Sequence, residues 1–219
     1  ISGTGATDDY IQDLSDPEPS PWDDLRGQIR HLVAEEGITT LGNGCFMNCT
    51  ALESVEFPTT LIRIGDYCFD SAEKLAEVTL PDGLKSIGQW AFRGCSSLKR
   101  VEVPGTVTRL TTKAFENCTG LVEAVIHFDP NVSGRISSNA IFRGCTSLER
   151  VLVDDNHSFL MDIDGVLYLN NKLGKHLLQY PLGREDTEYT IADGTVNVER
   201  YSVENAVHLR SITVPASVT

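Results

Sequence analysis

The fold is decided by a stretch that occurs more than once, SIGQWAFRGCSSLKRVEVPGTV at residues 86–107. Its apolar residues have counterparts about 23 residues earlier, separated by the same intervals. The counterparts are Ile64, Phe69, Leu75, Val78, Leu80 and Pro81, which match Ile87, Phe92, Leu98, Val101, Val103 and Pro104. A unit of about 23 residues is too short to enclose a core of its own, so such units are stable only when they stack on one another.

The shared pattern, F-x-x-C-x-x-L-x-x-V-x-V-P, extends in both directions over about 180 residues. An earlier copy contains Leu41, Phe46, Cys49, Leu52, Val55, Phe57 and Pro58. Two later copies contain Phe115, Cys118, Leu121, Ala124 and Ile126, and then Phe142, Cys145, Leu148, Val151 and Val153. A weaker copy near the end contains Val198, Val203, Ala206, Leu209, Ile212, Val214 and Pro215. The pattern departs at Ala72, where Cys is expected, and at His127, where Pro is expected.

The two halves of the repeat predict different local structure. The V-x-V-P half alternates between apolar and polar residues, which is typical of a short strand. The I-G-x-x-A-F-x-x-C half predicts one turn of α- or 3₁₀-helix rather than a strand. Because neighbouring strands lie about 4.8 Å apart, we expect six to seven coils in a rod about 30 Å long, with one parallel sheet along its inner face.

Two copies, ITTLGNGCFMNCTALESVEFP and SIGQWAFRGCSSLKRVEVP, resemble the BspA-like leucine-rich repeats of bacterial surface and secreted proteins. The resemblance covers nearly the whole chain and implies a right-handed α/β leucine-rich-repeat solenoid, strand-dominated with short helical turns. It also implies an extracellular or cell-surface location and a role in adhesion or binding. It implies no catalytic residues, because the motif consists of core positions.

The repeat boundaries divide the chain into four predicted parts. These are an N-terminal lead-in and cap at 1–28, leucine-rich repeats at 29–153, a hairpin-containing irregular coil at 154–190 and a truncated final repeat at 191–219. Trp22, with Leu25 and Ile29, is expected to cover the open end of the first coil, although a ligand-stacking tryptophan is the alternative. Residues 165–169 and 176–181 predict a β-hairpin that either braces the rod or presents a binding edge.

Composition excludes some partners. The formal net charge is −13, and an acidic surface repels phosphate backbones, so no nucleic-acid partner is expected. No apolar run approaches the roughly 18 residues that span a bilayer, so we expect no membrane insertion of this fragment.

Motifs for chemistry are absent from the sequence. It contains no nucleophile elbow, phosphate loop, dinucleotide fingerprint or zinc-protease motif, so we expect neither an enzyme nor a cofactor. The five histidines lack metal-ligand spacing, and the acidic stretches at 154–157 and 162–164 lack the spacing of a calcium loop. Six cysteines fall in inward columns, where free thiols are favoured over Cys45–Cys68 or Cys95–Cys118 bridges.

The candidate binding residues point outward from three successive strands. Two apolar residues, Val125 and Leu152, interrupt an otherwise polar column and are surrounded by charge. The set is Arg100, Glu102, Glu123, Val125, Arg150 and Leu152. An apolar pair inside a charged rim is typical of a protein-binding hot spot. The alternative is that the hairpin or the 127–139 insertion folds over the pair.

A secondary aromatic patch consists of Tyr67 and Trp90, which stack in adjacent coils. Such a pair either holds a sugar ring or merely shields the coil edge, and shielding is favoured. The sequence thus predicts a non-enzymatic recognition or adhesion module for a protein or carbohydrate on a host or neighbouring cell. The alternative is a structural spacer within a larger exported protein.

Overall fold

The computed structural model describes residues 1–10, 19–130, 140–157 and 159–219, together with the main chain of 135–136. The chain forms a right-handed, strand-dominated solenoid of about eight turns with almost no helix. Each turn of the solenoid is called a coil. The predicted fold is confirmed, and the count of six to seven coils is close.

Seventeen short strands and one 3₁₀-helix, Asp23–Leu25, occur in the part of the chain that is described. The first nine strands are β1 (Gly5–Ala6), β2 (His31–Val33), β3 (Ile38–Leu41), β4 (Ser54–Glu56), β5 (Arg63–Ile64), β6 (Ser86–Ile87), β7 (Arg100–Val103), β8 (Arg109–Leu110) and β9 (Glu123–Ile126). The others are β10 (Arg135–Ile136), β11 (Arg150–Val153), β12 (Leu160–Ile163), β13 (Val166–Asn171), β14 (Gly174–Gln179), β15 (Glu188–Thr190), β16 (Thr195–Val198) and β17 (Ser211–Thr213).

Two parallel ladders run along the rod, where one was expected. The first is a six-stranded sheet in the order β1-β3-β5-β6-β8-β10, formed by the short segment just before the turn. The second is formed by the V-x-V segments, here called the strand side, and it is divided into β2-β4, β7-β9-β11 and β15-β17. The repeat pattern did not predict the first ladder, because five of its six strands are two residues long and have no alternation to detect.

The core is a column of stacked phenylalanine rings. Phe69, Phe92 and Phe115 are fully buried, with centroids 5.3 and 5.2 Å apart and rings within 14° of parallel. Phe46 and Phe142 extend the column at 5.6 and 5.7 Å. The predicted register of the repeats is therefore confirmed, and the ring-to-ring contacts fix one coil on the next.

The F-x-x-C half of each coil, here called the turn side, is a chain of tight turns rather than a helix. Two residues per coil, four apart, have positive φ, as at Trp90 (55°) and Gly94 (71°). Left-handed residues interrupt helical hydrogen bonding and direct N–H groups to the next coil. The amides of Phe92 and Gly94 accordingly donate to the carbonyls of Ala114 and Glu116, at 2.8 and 2.9 Å.

The N-terminal segment covers the first coil. The Trp22 ring stacks on Phe46 with centroids 4.9 Å apart and planes 6° apart, and its Nε1 donates to the carbonyl of Cys45 at 2.7 Å. Tyr10 meets the Trp22 ring edge-on at 5.8 Å. These contacts are those expected of a lid, and they leave Trp22 poorly placed to stack on a ligand.

The repeat is interrupted after β11 by an antiparallel meander, β12-β13-β14, whose last strand pairs in parallel with β16. The predicted hairpin is formed by β13 and β14. The end of the hairpin away from its turn is buried in a second core cluster that includes Tyr168 and Tyr180. The amide of Val151 donates to the carbonyl of Gly165 at 2.8 Å, so the meander rests against the exposed edge of β11.

Candidate binding face

The predicted binding residues meet on one face of the sheet β7-β9-β11. The strands are parallel, and Arg100, Glu123 and Arg150 are in register across them. Glu102, Val125 and Leu152 form the adjacent row. Alternation along each strand turns residues such as Val101 and Val103 into the core and leaves these two rows outside.

Glu123 ties the first row together. Its carboxylate accepts from Arg100 Nε at 2.7 Å and from Arg150 Nε at 2.5 Å. These hydrogen bonds from two guanidinium groups lower the pKa of Glu123 below its usual range, although slight burial opposes them. The Arg100 and Arg150 side chains remain 52% and 55% exposed, so one carboxylate fixes two cations that still face solvent.

The charged network continues through His127, which stands where the repeat pattern has Pro. His127 lies between two carboxylates, with Nε2 3.4 Å from Glu102 Oε2 and Nδ1 3.3 Å from Asp154 Oδ1. Glu102 also contacts Arg100, and Asp154 accepts the Phe128 amide at 2.9 Å. The replacement of Pro by His in the repeat was the available signal for this position.

The apolar pair is less exposed than expected. Val125 is only 9% exposed and belongs to neither core cluster, while Leu152 is half-buried. Val125 lies in register between Glu102 and Leu152, whose side chains flank it on both sides. Much of the alternative cover, the 127–139 insertion, lies outside the described residues. The exposed apolar centre of the face is therefore small.

A groove separates this face from the preceding coil. Residues 77–80 form no strand, which leaves β4 and β7 without a paired neighbour between them. The groove beside β7 has a volume of about 520 Å³, and a second hollow of about 510 Å³ lies on the β4 side. No sequence signal marked this break, because EVTLP at 77–81 fits the repeat as well as RVEVP at 100–104 does.

The secondary aromatic patch is contacted by charged side chains of the protein itself and remains half-buried. Tyr67 and Trp90 have centroids 4.9 Å apart at 32°, and the Arg93 guanidinium lies 5.6 Å from each ring. Trp90 Nε1 donates to Glu116 Oε2 at 2.6 Å, and Lys113 Nζ lies 5.4 Å from the Trp90 ring. These contacts favour the shielding role over sugar binding.

The acidic stretches that suggested calcium serve local structure instead. Asp162 accepts the amides of Val153 and Gly165 at 2.9 and 3.2 Å. His157 Nδ1 accepts the Leu160 amide at 3.1 Å, and burial lowers the pKa of His157. Over the described ranges, no group of three or more acidic, His or Cys side chains is placed to hold a metal.

All six cysteines are buried and free. Burial raises the pKa of Cys45 and Cys49 to about 11. In the F-x-x-C column, the thiols of Cys95, Cys118 and Cys145 donate to carbonyls of the preceding coil at 3.1–3.3 Å. The thiols therefore pack as small apolar groups that also fill hydrogen-bonding positions.

The stacked coils, with short parallel strands and a turn side, define a leucine-rich repeat protein. Residues 26–149 match the family model of the BspA type leucine rich repeat region, in six copies. The chain belongs to this family, as the sequence motifs predicted. A comparison with curated proteins finds no match. Within the described residues, no helix has the length and apolar character needed to cross a bilayer.

Solved structures share the fold. A leucine-rich repeat protein from Eubacterium ventriosum is 28% identical over 100% of this chain, with a TM-score of 0.86. A leucine rich cell surface protein from Faecalibacterium prausnitzii and the pneumococcal vaccine antigen PcpA are 23% and 22% identical over 98% of the chain, each with a TM-score of 0.67. The chain spans 55%, 59% and 51% of the lengths of these three structures.

Proposed function

We propose that this chain is a non-enzymatic recognition or adhesion module of a cell-surface or secreted bacterial protein. Its ligand is a protein or a carbohydrate on a host or neighbouring cell, bound by the face of β7, β9 and β11. The family supports this proposal, and so does the description of one fold neighbour as a cell surface protein. The net charge of −13 argues against nucleic acid as the ligand.

The observation that carries the proposal is the clamping of two half-exposed arginines by one carboxylate. Glu123 holds Arg100 and Arg150 on adjacent strands, so their side chains lose little further freedom when they meet a ligand. Arginine presents a planar fork of donors, which suits carboxylates and hydroxyl groups of either ligand class. Leu152, half-buried beside Arg150, adds a small apolar contact.

The test is a binding screen of the purified chain against a glycan array and a panel of host-matrix proteins. The double variant Arg100→Gln/Arg150→Gln should lose at least tenfold in affinity for any ligand found. A control variant, Arg30→Gln/Arg210→Gln, removes the same charge from exposed positions elsewhere and should bind as the wild type does. Thermal melting of both variants verifies that they remain folded.

A structural spacer is the second candidate, and the unbroken phenylalanine column favours it, because such a column makes a stiff rod. A wild-type chain that binds nothing on either panel would support the spacer and contradict recognition. A ligand whose affinity is equal for both double variants would place recognition on another face.

A further inference from the structure

We propose that the groove between residues 77–82 and β7 binds an extended peptide segment that carries Lys or Arg side chains. The peptide would add main-chain hydrogen bonds where the sheet is open. This inference rests on the proposed function and narrows its ligand class to polypeptide.

The first support is the unpaired main chain of residues 77–80. The amide of Lys99 donates to the carbonyl of Ala76 at 3.4 Å, and no main-chain hydrogen bond joins residues 77–80 to β7 beyond it. Within the described part of the chain, Glu77, Val78, Thr79 and Leu80 have no main-chain hydrogen bond. By contrast, β9 pairs with both β7 and β11 along four residues.

The facing edge of β7 is open as well. Lys99 and Val103 accept hydrogen bonds from Val122 and His127 at 2.9 and 3.0 Å, so alternate residues of this segment face β9. In a parallel ladder, the residues between them direct their N–H and C=O groups the other way. The main-chain groups of Arg100 and Glu102 therefore face the groove, where residues 77–80 offer them no partner. Open strand edges are the sites at which peptides bind by strand addition.

The shape of the groove suits a peptide. Its floor is apolar, with Val78 half-buried and Leu80 buried, and its rim is charged. The volume of about 520 Å³ lies within the range of known ligand pockets. An apolar floor beside open main-chain groups accommodates alternate side chains of an extended chain.

The charged side chains of the groove favour a peptide that carries positive charge. Glu77 and Asp82 are exposed, and neither takes part in an ion pair of the described residues. Glu102 is already compensated by Arg100 and faces His127. Glu56, on the far side of residues 77–80, adds a further exposed carboxylate. Lys99 is the opposing charge, so the groove is acidic on balance and complements Lys or Arg side chains.

The experiment pans a phage-displayed library of random peptides against the folded chain at low salt. The recovered peptides are synthesised and titrated by calorimetry. We expect them to be enriched in Lys and Arg, and the double variant Glu77→Gln/Asp82→Asn to bind them at least tenfold more weakly. The control variant Glu185→Gln/Asp193→Asn makes the same charge change at exposed positions away from the groove and should bind within twofold of the wild type.

Main-chain recognition is tested separately by methylating peptide nitrogens. Methylation of either alternate set of amides should reduce the affinity at least tenfold, because one set faces Arg100 and Glu102 of β7 and the other faces residues 77–80. No loss of affinity on methylation, equal binding by both charge variants, or recovery of no peptide would each overturn the inference. If the chain then still binds a glycan or a folded protein through Arg100 and Arg150, the proposed function stands without it. If it binds nothing, both fail.

Discussion

The turn side and the strand side of the same coils differ in continuity. On the turn side, each coil donates main-chain hydrogen bonds to the next, as from Gly44 to Asp66, from Phe69 to Ala91 and from Asn117 to Arg143. On the strand side, the ladder stops at residues 77–80 and starts again at β7. The stack is therefore held by the turn side, the phenylalanine column and the six-stranded ladder β1-β3-β5-β6-β8-β10. The strand side can vary its shape and charge without loss of the fold, and that freedom is why we place ligand binding there.

The largest effect is expected from removing one ring of the column. Phe92 is fully buried between Phe69 and Phe115, so Phe92→Ala should lower the free energy of unfolding by about 3–5 kcal/mol. Urea denaturation followed by circular dichroism measures it. The control Leu173→Ala, at a residue that is 79% exposed, should change stability by less than about 0.5 kcal/mol. A loss below 1 kcal/mol for Phe92→Ala would mean that the column does not hold the coils together.

The next largest loss of stability is expected at Gly88, where two coils approach closely just before the turn side. A Cβ at Gly88 would lie 2.5 Å from the main-chain nitrogen of Asp66. Gly88→Ala should therefore force two coils apart and cost about 1–3 kcal/mol in urea denaturation. Gly27 has nothing within 4 Å of the corresponding position, so Gly27→Ala is the matched control and should be close to neutral. Equal stability of the two variants would contradict the spacing of the coils.

A smaller loss is expected from the ion pair between Asp70 and Arg93 on the turn side. The Asp70 side chain is 3% exposed and accepts from Arg93 Nε and an adjacent guanidinium nitrogen at 2.8 and 2.5 Å. Asp70→Asn should cost about 1–2 kcal/mol, because it weakens two charge-assisted hydrogen bonds while keeping the shape. Glu53→Gln breaks an exposed pair with Arg30 and should cost less than about 0.5 kcal/mol. Equal losses would mean that the buried Asp70–Arg93 pair does not stabilise the turn side more than an exposed pair does.

Much of the turn side follows from the sequence, because it is set by buried residues with fixed spacing. The Phe, Cys and Leu columns, the hairpin and the covering role of Trp22 are all expectations from residue type and interval. The left-handed residues were harder to foresee, since non-glycine residues such as Tyr67 and Trp90 occupy them. Hydrogen bonds between coils offset the backbone strain at these positions, and the residue type alone does not indicate those bonds.

The candidate site was predicted as a set of residues but not as an arrangement. Alternation along the strand is enough to point Arg100, Glu123 and Arg150 outward together. Three features depend on rotamers and on small shifts between coils. They are the hydrogen bonds from Arg100 and Arg150 to Glu123, the burial of Val125 and the break at residues 77–80. Side-chain pattern alone does not encode those shifts, so the groove was found only in the structure.

The Glu123 clamp predicts a pH-dependent contribution to stability. The two arginines lower the pKa of Glu123 in the folded state, so its contribution is present above the unfolded pKa of about 4.3 and is lost as pH falls through the folded value. Glu123→Gln should therefore be about 1 kcal/mol less stable than the wild type at pH 7 and equal to it in strong acid. Urea denaturation across the acid range measures the difference. The exposed control Glu185→Gln should track the wild type throughout, and a pH-independent loss for Glu123→Gln would mean that packing, not charge, is responsible.

The smallest effect is expected in hydrogen exchange, where the amides at residues 77–80 should be only weakly protected from solvent. Val78 and Thr79 have no main-chain partner in the described chain, so their amides should exchange with solvent within about tenfold of the rate of an unfolded peptide. Ala124 and Val125, in the middle strand of a three-stranded ladder, should be protected by more than about a thousandfold. Hydrogen exchange followed by nuclear magnetic resonance resolves these positions individually. Strong protection at Val78 and Thr79 would mean that the ladder closes in solution, and the main-chain groups of β7 would then be unavailable to a peptide. Low protection there, which rises when a panned peptide is added, would locate the bound peptide in the groove itself.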